Sequence, residues 1–301
     1  DFAEASGTHN TGLAVLADEM LKGMGRDYLT PPQKVQYDSV SGTSSEKMNN
    51  VNIRTTVDGF PIAVFTRDTV GGELTFLGKY NFNIDKGSTD VYGFTDEEID
   101  ESWEFLNNTS PRVKFRISEW TNTYFDTESQ ETKYEWQQDF EARYPDLDTP
   151  FNDYTNLKIL FDWIVSTDPT TATNTVFDAI KTFHEIDPIS GNLITYSSDN
   201  ASYRLAKFKN EVREHFNVEN LVSYYLITEI FGMVDQRAKN MFLTSWGNEG
   251  SGEYKWYFIL YDNDTALGIN NEGANIFPYN IEYHDRLYKN NPSSSKVWNG
   301  E

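Results

Sequence analysis

Apolar positions recur at helical spacing at the start of this chain, give way to strand-like runs, and return to helical spacing in its second half. Leu13, Leu16, Met20 and Met24 come back every three to four residues, which predicts a helix over 11–24 stopped by Gly25. Tyr28-Leu-Thr-Pro-Pro32 breaks that period and opens a polar loop reaching position 50. Branched and aromatic residues then crowd 51–57, 60–66 and 74–82. Asp58-Gly59 separates the first two runs and suits a tight hairpin turn, so an antiparallel meander is expected.

Further on, Thr95-Asp-Glu-Glu98 resembles a capping box and predicts a helix over 95–107, while alternation over 112–117 predicts a strand. Helices are expected over 136–144 and 157–165, separated by Pro145, Pro150 and acidic turn residues, with a polar connection over 167–175. Leu205, Phe208, Val212 and Phe216 place one apolar face on a helix over 201–216. A new helix starts at 217–220 and runs to Phe231, with Gly232 as its stop, and delivers Asp235 just past its C-terminus. The pattern predicts an α+β chain with a β-rich part over 1–110 and a mostly helical part over 111–301.

The densest chemistry follows that helix. Asp235-Gln-Arg-Ala-Lys-Asn240 is succeeded by an apolar run over 241–246, a glycine-rich turn over 247–252, a second apolar run over 253–261, and Tyr261-Asp-Asn-Asp-Thr-Ala-Leu-Gly268. Two apolar runs around a glycine turn read as a hairpin, which would return Asp262 to the neighbourhood of Asn240. Protein kinases place an Asn five residues after the Asp that receives the hydroxyl proton, and a metal-binding Asp beyond a hairpin. Carboxylate and amide oxygens suit Mg²⁺, which completes its octahedron with water and the phosphate oxygens of ATP. Asp and Asn are also ordinary turn residues, so the five-residue spacing carries weight only together with the hairpin.

The stretch 221–268 resembles the CotH-type atypical protein kinases, a family first associated with spore coats and also found in phage virion proteins. Asp1-Phe-Ala-Glu-Ala-Ser-Gly-Thr-His-Asn10, Gly78-Lys-Tyr-Asn-Phe-Asn83 with Asp85-Lys86, and Phe140-Glu-Ala-Arg-Tyr-Pro-Asp146 resemble its longer phage and gut-bacterial members. The resemblance implies a two-lobed, kinase-like fold whose C-terminal part carries the catalytic hairpin. It implies Asp235 as the catalytic carboxylate and Asp262 or Asp264 as the metal-binding one, both being open for that role. Asn240 completes the metal set. Lys239 and Arg237 are candidates for phosphate contact, against a plainer role for Arg237 in pairing with nearby acids. A kinase also needs a small-lobe cation on the nucleotide phosphates. Lys79 and Lys86 are the candidates, their alternative being solvated edge charges.

Composition narrows the setting. The net charge of -22 disfavours nucleic-acid and anionic-membrane partners, whose affinity comes from Lys and Arg, and accommodates a basic protein substrate. There are no cysteines, hence no disulfide or thiolate metal site. The 18 Tyr, 20 Phe and 7 Trp supply a mixed core with enough left for subunit contacts. His9, His184, His215 and His284 show no zinc spacing, and neither a GxSxG nor a P-loop motif is present. The chain starts without Met inside a segment that matches the family, and reads as a piece of a longer protein. Two functions follow as expectations: an ATP- and Mg-dependent Ser/Thr kinase, or a structural or attachment component that keeps the scaffold. The expected place is a virion, or alternatively a bacterial cell or spore surface, among oligomeric assembly partners.

Overall fold

The structure, a computed structural model, describes residues 9–23, 55–57, 59–94, 100–107, 120–145, 152–169, 179–233, 235–237, 239–246, 254–267 and 269. Its centre is an antiparallel sheet built from β3 (Glu101–Phe105), β6 (Phe140–Tyr144), β9 (Met241–Ser245) and β10 (Tyr257–Ile259), in the order β10-β9-β3-β6, while β4 (Thr123–Asp126) with β5 (Glu131–Tyr134) and β7 (Phe183–Ile186) with β8 (Leu193–Tyr196) form separate hairpins. Alternation divides the side chains of this sheet between two cores. Trp103, Phe105, Met241, Leu243 and Phe258 join the larger core, with Leu157, Leu160 and Phe161 of one helix and Ile227 of another. Phe242, Tyr257 and Ile259 point the other way, into a second cluster with Tyr92, Phe94, Tyr144 and Trp246. The candidate chemistry lies on this second side.

An α+β architecture with antiparallel pairing is therefore present, but the segments that supply the strands differ from expectation. The predicted helix over 95–107 is not formed where the structure describes it, at 100–107; residues 101–105 are strand β3 instead. All five residues of β3 are buried between β9 and β6, and Ser102 faces Thr244 across the ladder at 2.9 Å. Burying Trp103 and Phe105 on one face outweighs the local capping signal, a tertiary override of propensity. The predicted helix over 136–144 is likewise replaced by a short 3-10 turn, Glu135–Asp139, followed by β6, whose pairing with β3 occupies the backbone groups a helix would need. Because β3 lies in 1–110 and its partners beyond it, one sheet draws on both expected parts.

The expected meander is also altered. β1 (Gly59–Thr66) and β2 (Thr75–Asn83) form a hairpin, with Phe60 over Phe82 and Phe65 over Phe76 as cross-strand ring pairs at 5.6 and 5.3 Å. The segment before it does not join that ribbon at 55–57. Thr56 bridges in parallel to Leu260, and Val57 N–H donates to Leu260 O at 2.8 Å. The loops expected over 28–50 and the strand over 112–117 lie outside the described residues.

Helix α1 (His9–Gly23) occupies its expected place but turns a different face inward. Leu13, Ala14, Ala17 and Leu21 are buried whereas Leu16 is exposed, and the helix packs on the turn at 263–265. A four-residue helix, α2 (Thr89–Tyr92), precedes β3, and α3 (Thr155–Thr167) matches the expected 157–165. Helices α4 (Ala201–His215) and α5 (Val218–Ile230) start on Asn200 and Asn217, whose side-chain oxygens accept the N–H groups of Tyr203 and Asn220. The apolar face expected on α4 is only partly inward, with Leu205 and Phe208 exposed. Its buried face instead carries paired charges: Arg204 on Asp199 at 2.7 Å and Lys207 on Glu211 at 2.7 Å. Gly232 adopts φ 56° just past α5, and Met233 N–H closes onto Thr228 O, ending the helix two residues before Asp235. Among the described residues, no helix is long and apolar enough to cross a membrane.

Helix α5 holds β10 through one side chain. Buried Asn220 accepts Phe258 N–H at 2.7 Å and donates to Phe258 O at 3.2 Å, acting as a strand partner on the edge of the sheet. Asn220→Ala should cost about 2 kcal/mol, the penalty for stranding buried backbone groups. Chemical denaturation checks this, and a midpoint unchanged from wild type would contradict it.

Candidate functional site

The backbone first closes the loop over 235–240: Asn240 N–H donates to Asp235 O at 2.9 Å. Within it, Asp235–Arg237 forms a 3-10 turn whose three residues are all buried. Gln236 has no exposed surface, and its side-chain Nε2 donates to Tyr261 O at 3.1 Å and Asp262 O at 2.6 Å. The Tyr224 hydroxyl donates to Gln236 O from α5. Loop, helix and the end of β10 are thus tied through one residue.

The β9–β10 ladder, pairing Thr244 with Tyr257 and Phe242 with Ile259, completes the return. Asn240 Nδ2 reaches Asp262 Oδ2 at 3.2 Å, so the carboxamide and the carboxylate separated by the hairpin are in direct contact. Asp262 sits at φ 55°, ψ 58°, a left-handed conformation that Asp tolerates better than most residues but still at a cost. It opens the Asn263–Thr265 turn, which α1 anchors: Asn10 Oδ1 accepts Asn263 N–H at 2.9 Å and Asn10 O accepts from Asn263 Nδ2 at 3.2 Å.

Electrostatics group the acids. Burial raises the Asp264 carboxyl to about 6, reinforced by the charges of Asp262 and Asp235, while Lys239 opposes the shift. Burial also raises Asp262, reinforced by Glu104, against the pull of Lys86 and Lys239 and the Asn240 hydrogen bond. Three carboxylates therefore feel one another without closing a cage, and among the described residues no three Asp, Glu, His or Cys side chains gather as a complete metal site. Repulsion of this kind is relieved by a proton or a cation. The donors are all hard oxygens, a set that suits Mg²⁺ held by Asn240 with Asp262 or Asp264 and finished by water and phosphate.

The two lysine candidates separate. Lys79 is exposed on the β1–β2 ribbon. Lys86 is no solvated edge charge: its Nζ lies 2.9 and 3.0 Å from the two oxygens of buried Glu104, and 5.3 Å from the Tyr261 ring centre. The two 235–240 cations separate as well. Arg237 turns away to Glu229 at 3.0 Å, Thr228 at 2.8 Å and the carbonyl of Tyr225, the plainer of its two expected roles. Lys239 is half-buried with its charge felt at Asp262 and Asp264. Sequence reasoning missed Gln236, Glu104, Asn10 and Asn263. Glu104 was hidden by the helical reading of 95–107, and only pairing information could have placed it opposite Lys86.

Residues 189–299 match the family model CotH, described as CotH kinase protein. The match supports the CotH resemblance seen over 221–268, and it takes in Asp235, Lys239, Asn240, Asp262 and Asp264. It covers little more than a third of the chain, and Lys79, Lys86 and Glu104 precede it. Neither the curated proteins nor the solved structures searched give a match.

A carboxyl raised in the folded state stabilises the protein below the ordinary carboxylate range and loses that contribution as pH rises through its folded value. For Asp264 the loss sets in above the ordinary value of 3.8 and is complete a little above about 6. Without divalent cation, raising pH from about 4.5 to about 7.5 should therefore lower the melting temperature more in wild type than in Asp264→Asn. Parallel melting curves across that range would show that Asp264 is not strained by its neighbours.

Proposed function

We propose that this protein is a CotH-like kinase that transfers the γ-phosphoryl group of ATP to a Ser or Thr hydroxyl. The observation that carries the reading is the contact between Asn240 and Asp262 beside Asp235. The fold reading that accompanies it is a kinase-like, two-lobed arrangement in which the β1–β2 ribbon belongs to the nucleotide side.

In this reading Asp235 accepts the proton of the substrate hydroxyl as its oxygen bonds to the γ-phosphorus and the bond to the β,γ-bridging oxygen breaks, leaving ADP. Asn240 with Asp262 or Asp264 would hold Mg²⁺. The ion, when bound, neutralises charge on the phosphates. Lys86, drawn towards the site by Glu104, and Lys239, flanking the acids, supply cations to the phosphate oxygens. The strongly acidic surface favours a basic protein substrate.

A second reading is compatible with the first: a component of a virion, or of a cell or spore surface, that uses the scaffold for assembly. The exposed aromatic ribbon favours it, since Phe60, Phe65, Phe76 and Phe82 are each more than half exposed. A two-stranded ribbon with apolar faces gains stability when something covers it.

Radiolabel transfer from ATP to the protein itself and to a Lys-rich protein acceptor tests the catalytic reading. The double variant Asp262→Ala with Asp264→Ala should abolish incorporation with its circular dichroism spectrum intact, and Asp235→Asn should reduce it about a hundredfold or more. Incorporation at the wild-type level in the double variant would reject the reading.

A further inference from the structure

Glu104 carries two cations, and only one of them was visible as a candidate. Its side chain is 3% exposed, yet it accepts from Lys86 Nζ at 2.9 Å and from Arg143 Nε at 2.5 Å, with a second Arg143 nitrogen on the same oxygen. Arg143 also touches half-exposed Glu141 at 2.6 Å. The two cations are linked through the backbone as well. A Cβ on Gly87 would stand 2.4 Å from Arg143 O, so the turn that presents Lys86 lies directly on β6 at Arg143, where only glycine fits. Tyr261 OH donates to Ile84 O at 3.0 Å and pins the other side of the same turn beside Asp262.

A buried carboxylate with a single partner would resist giving that partner up, because leaving a charge unpaired in the interior is costly. Lys86 can reach for an anionic oxygen only if Glu104 stays compensated. We propose that Arg143 is a positioning residue of the phosphate site: it remains on Glu104 and releases Lys86 to bind a phosphate oxygen of the nucleotide. Lys86, Arg143 and Glu104 together carry one net positive charge beside Asp262, with Asp85 and Glu141 as the further acids nearby. That balance suits an anion carried in with a divalent cation. The proposal rests on the phosphoryl-transfer reading above.

Calorimetric titration of the full chain with Mg·ATP tests it in a double-mutant cycle of Arg143→Gln and Lys86→Gln, with Arg143→Lys as the charge-preserving variant and thermal melting as the check on folding. Arg143→Gln should weaken binding about tenfold in the wild-type background and less than about twofold in the Lys86→Gln background, because Arg143 acts through Lys86. Arg143→Lys should stay within about threefold of wild type. Unchanged affinity in Arg143→Gln, or an equal loss in both backgrounds, would overturn the role of Arg143 alone. A wild-type protein that does not bind Mg·ATP would overturn the phosphoryl-transfer reading beneath it.

Discussion

The side-chain amide of Gln236 occupies a position on which the whole site depends. The residue is fully buried, its Nε2 donates to the carbonyls of Tyr261 and Asp262, and its backbone carbonyl accepts the Tyr224 hydroxyl. A buried amide in such a network is hard to move, because every displaced partner would lose its hydrogen bond away from water. The consequence is geometric. The end of α5, the loop that follows it and the end of β10 form one unit, and the Asn240 carboxamide is held on the Asp262 carboxylate rather than brushing past it.

Around that unit the charges are arranged against the general character of the chain. The protein is strongly acidic, yet Lys86, Arg143 and Lys239 gather on the side of the sheet where Asp262 and Asp264 are half-buried. Burial raises both carboxyls above the ordinary carboxylate range. Lysine charge and the Asn240 hydrogen bond pull Asp262 back towards its ionised form, the form able to hold a cation. The site is thus built from opposing forces, with burial the largest.

Much of this frame could be read from the residues in order. The apolar period over 201–216 and the restart at 217–220 announced two helices, Gly232 a stop, and the glycine-rich turn between two apolar runs announced the hairpin that carries Asn240 to Asp262. What could not be read were the long-range choices. Residues 101–105 and 140–144 carry helical signals but become strands, because each buries aromatic side chains only by pairing in the central sheet. Helix α1 shows the same limit. Its period suggested a face through Leu16, while the buried face runs through Leu13, Ala14, Ala17 and Leu21, with the 263–265 turn packed on the helix. The partnership of Glu104 with Lys86 and Arg143 depends on those strand assignments and stayed hidden with them.

The central claim is that Asn240 and Asp262 are two ligands of one cation carried on a nucleotide phosphate. A crystal structure with Mn²⁺ and a non-hydrolysable ATP analogue, read by anomalous scattering, addresses it most directly. The account predicts a manganese peak about 2 Å from oxygens of both side chains, with the nucleotide phosphates on its open side. Manganese bound elsewhere, or Asn240 and Asp262 still bonded to each other with no ion between them, would contradict it.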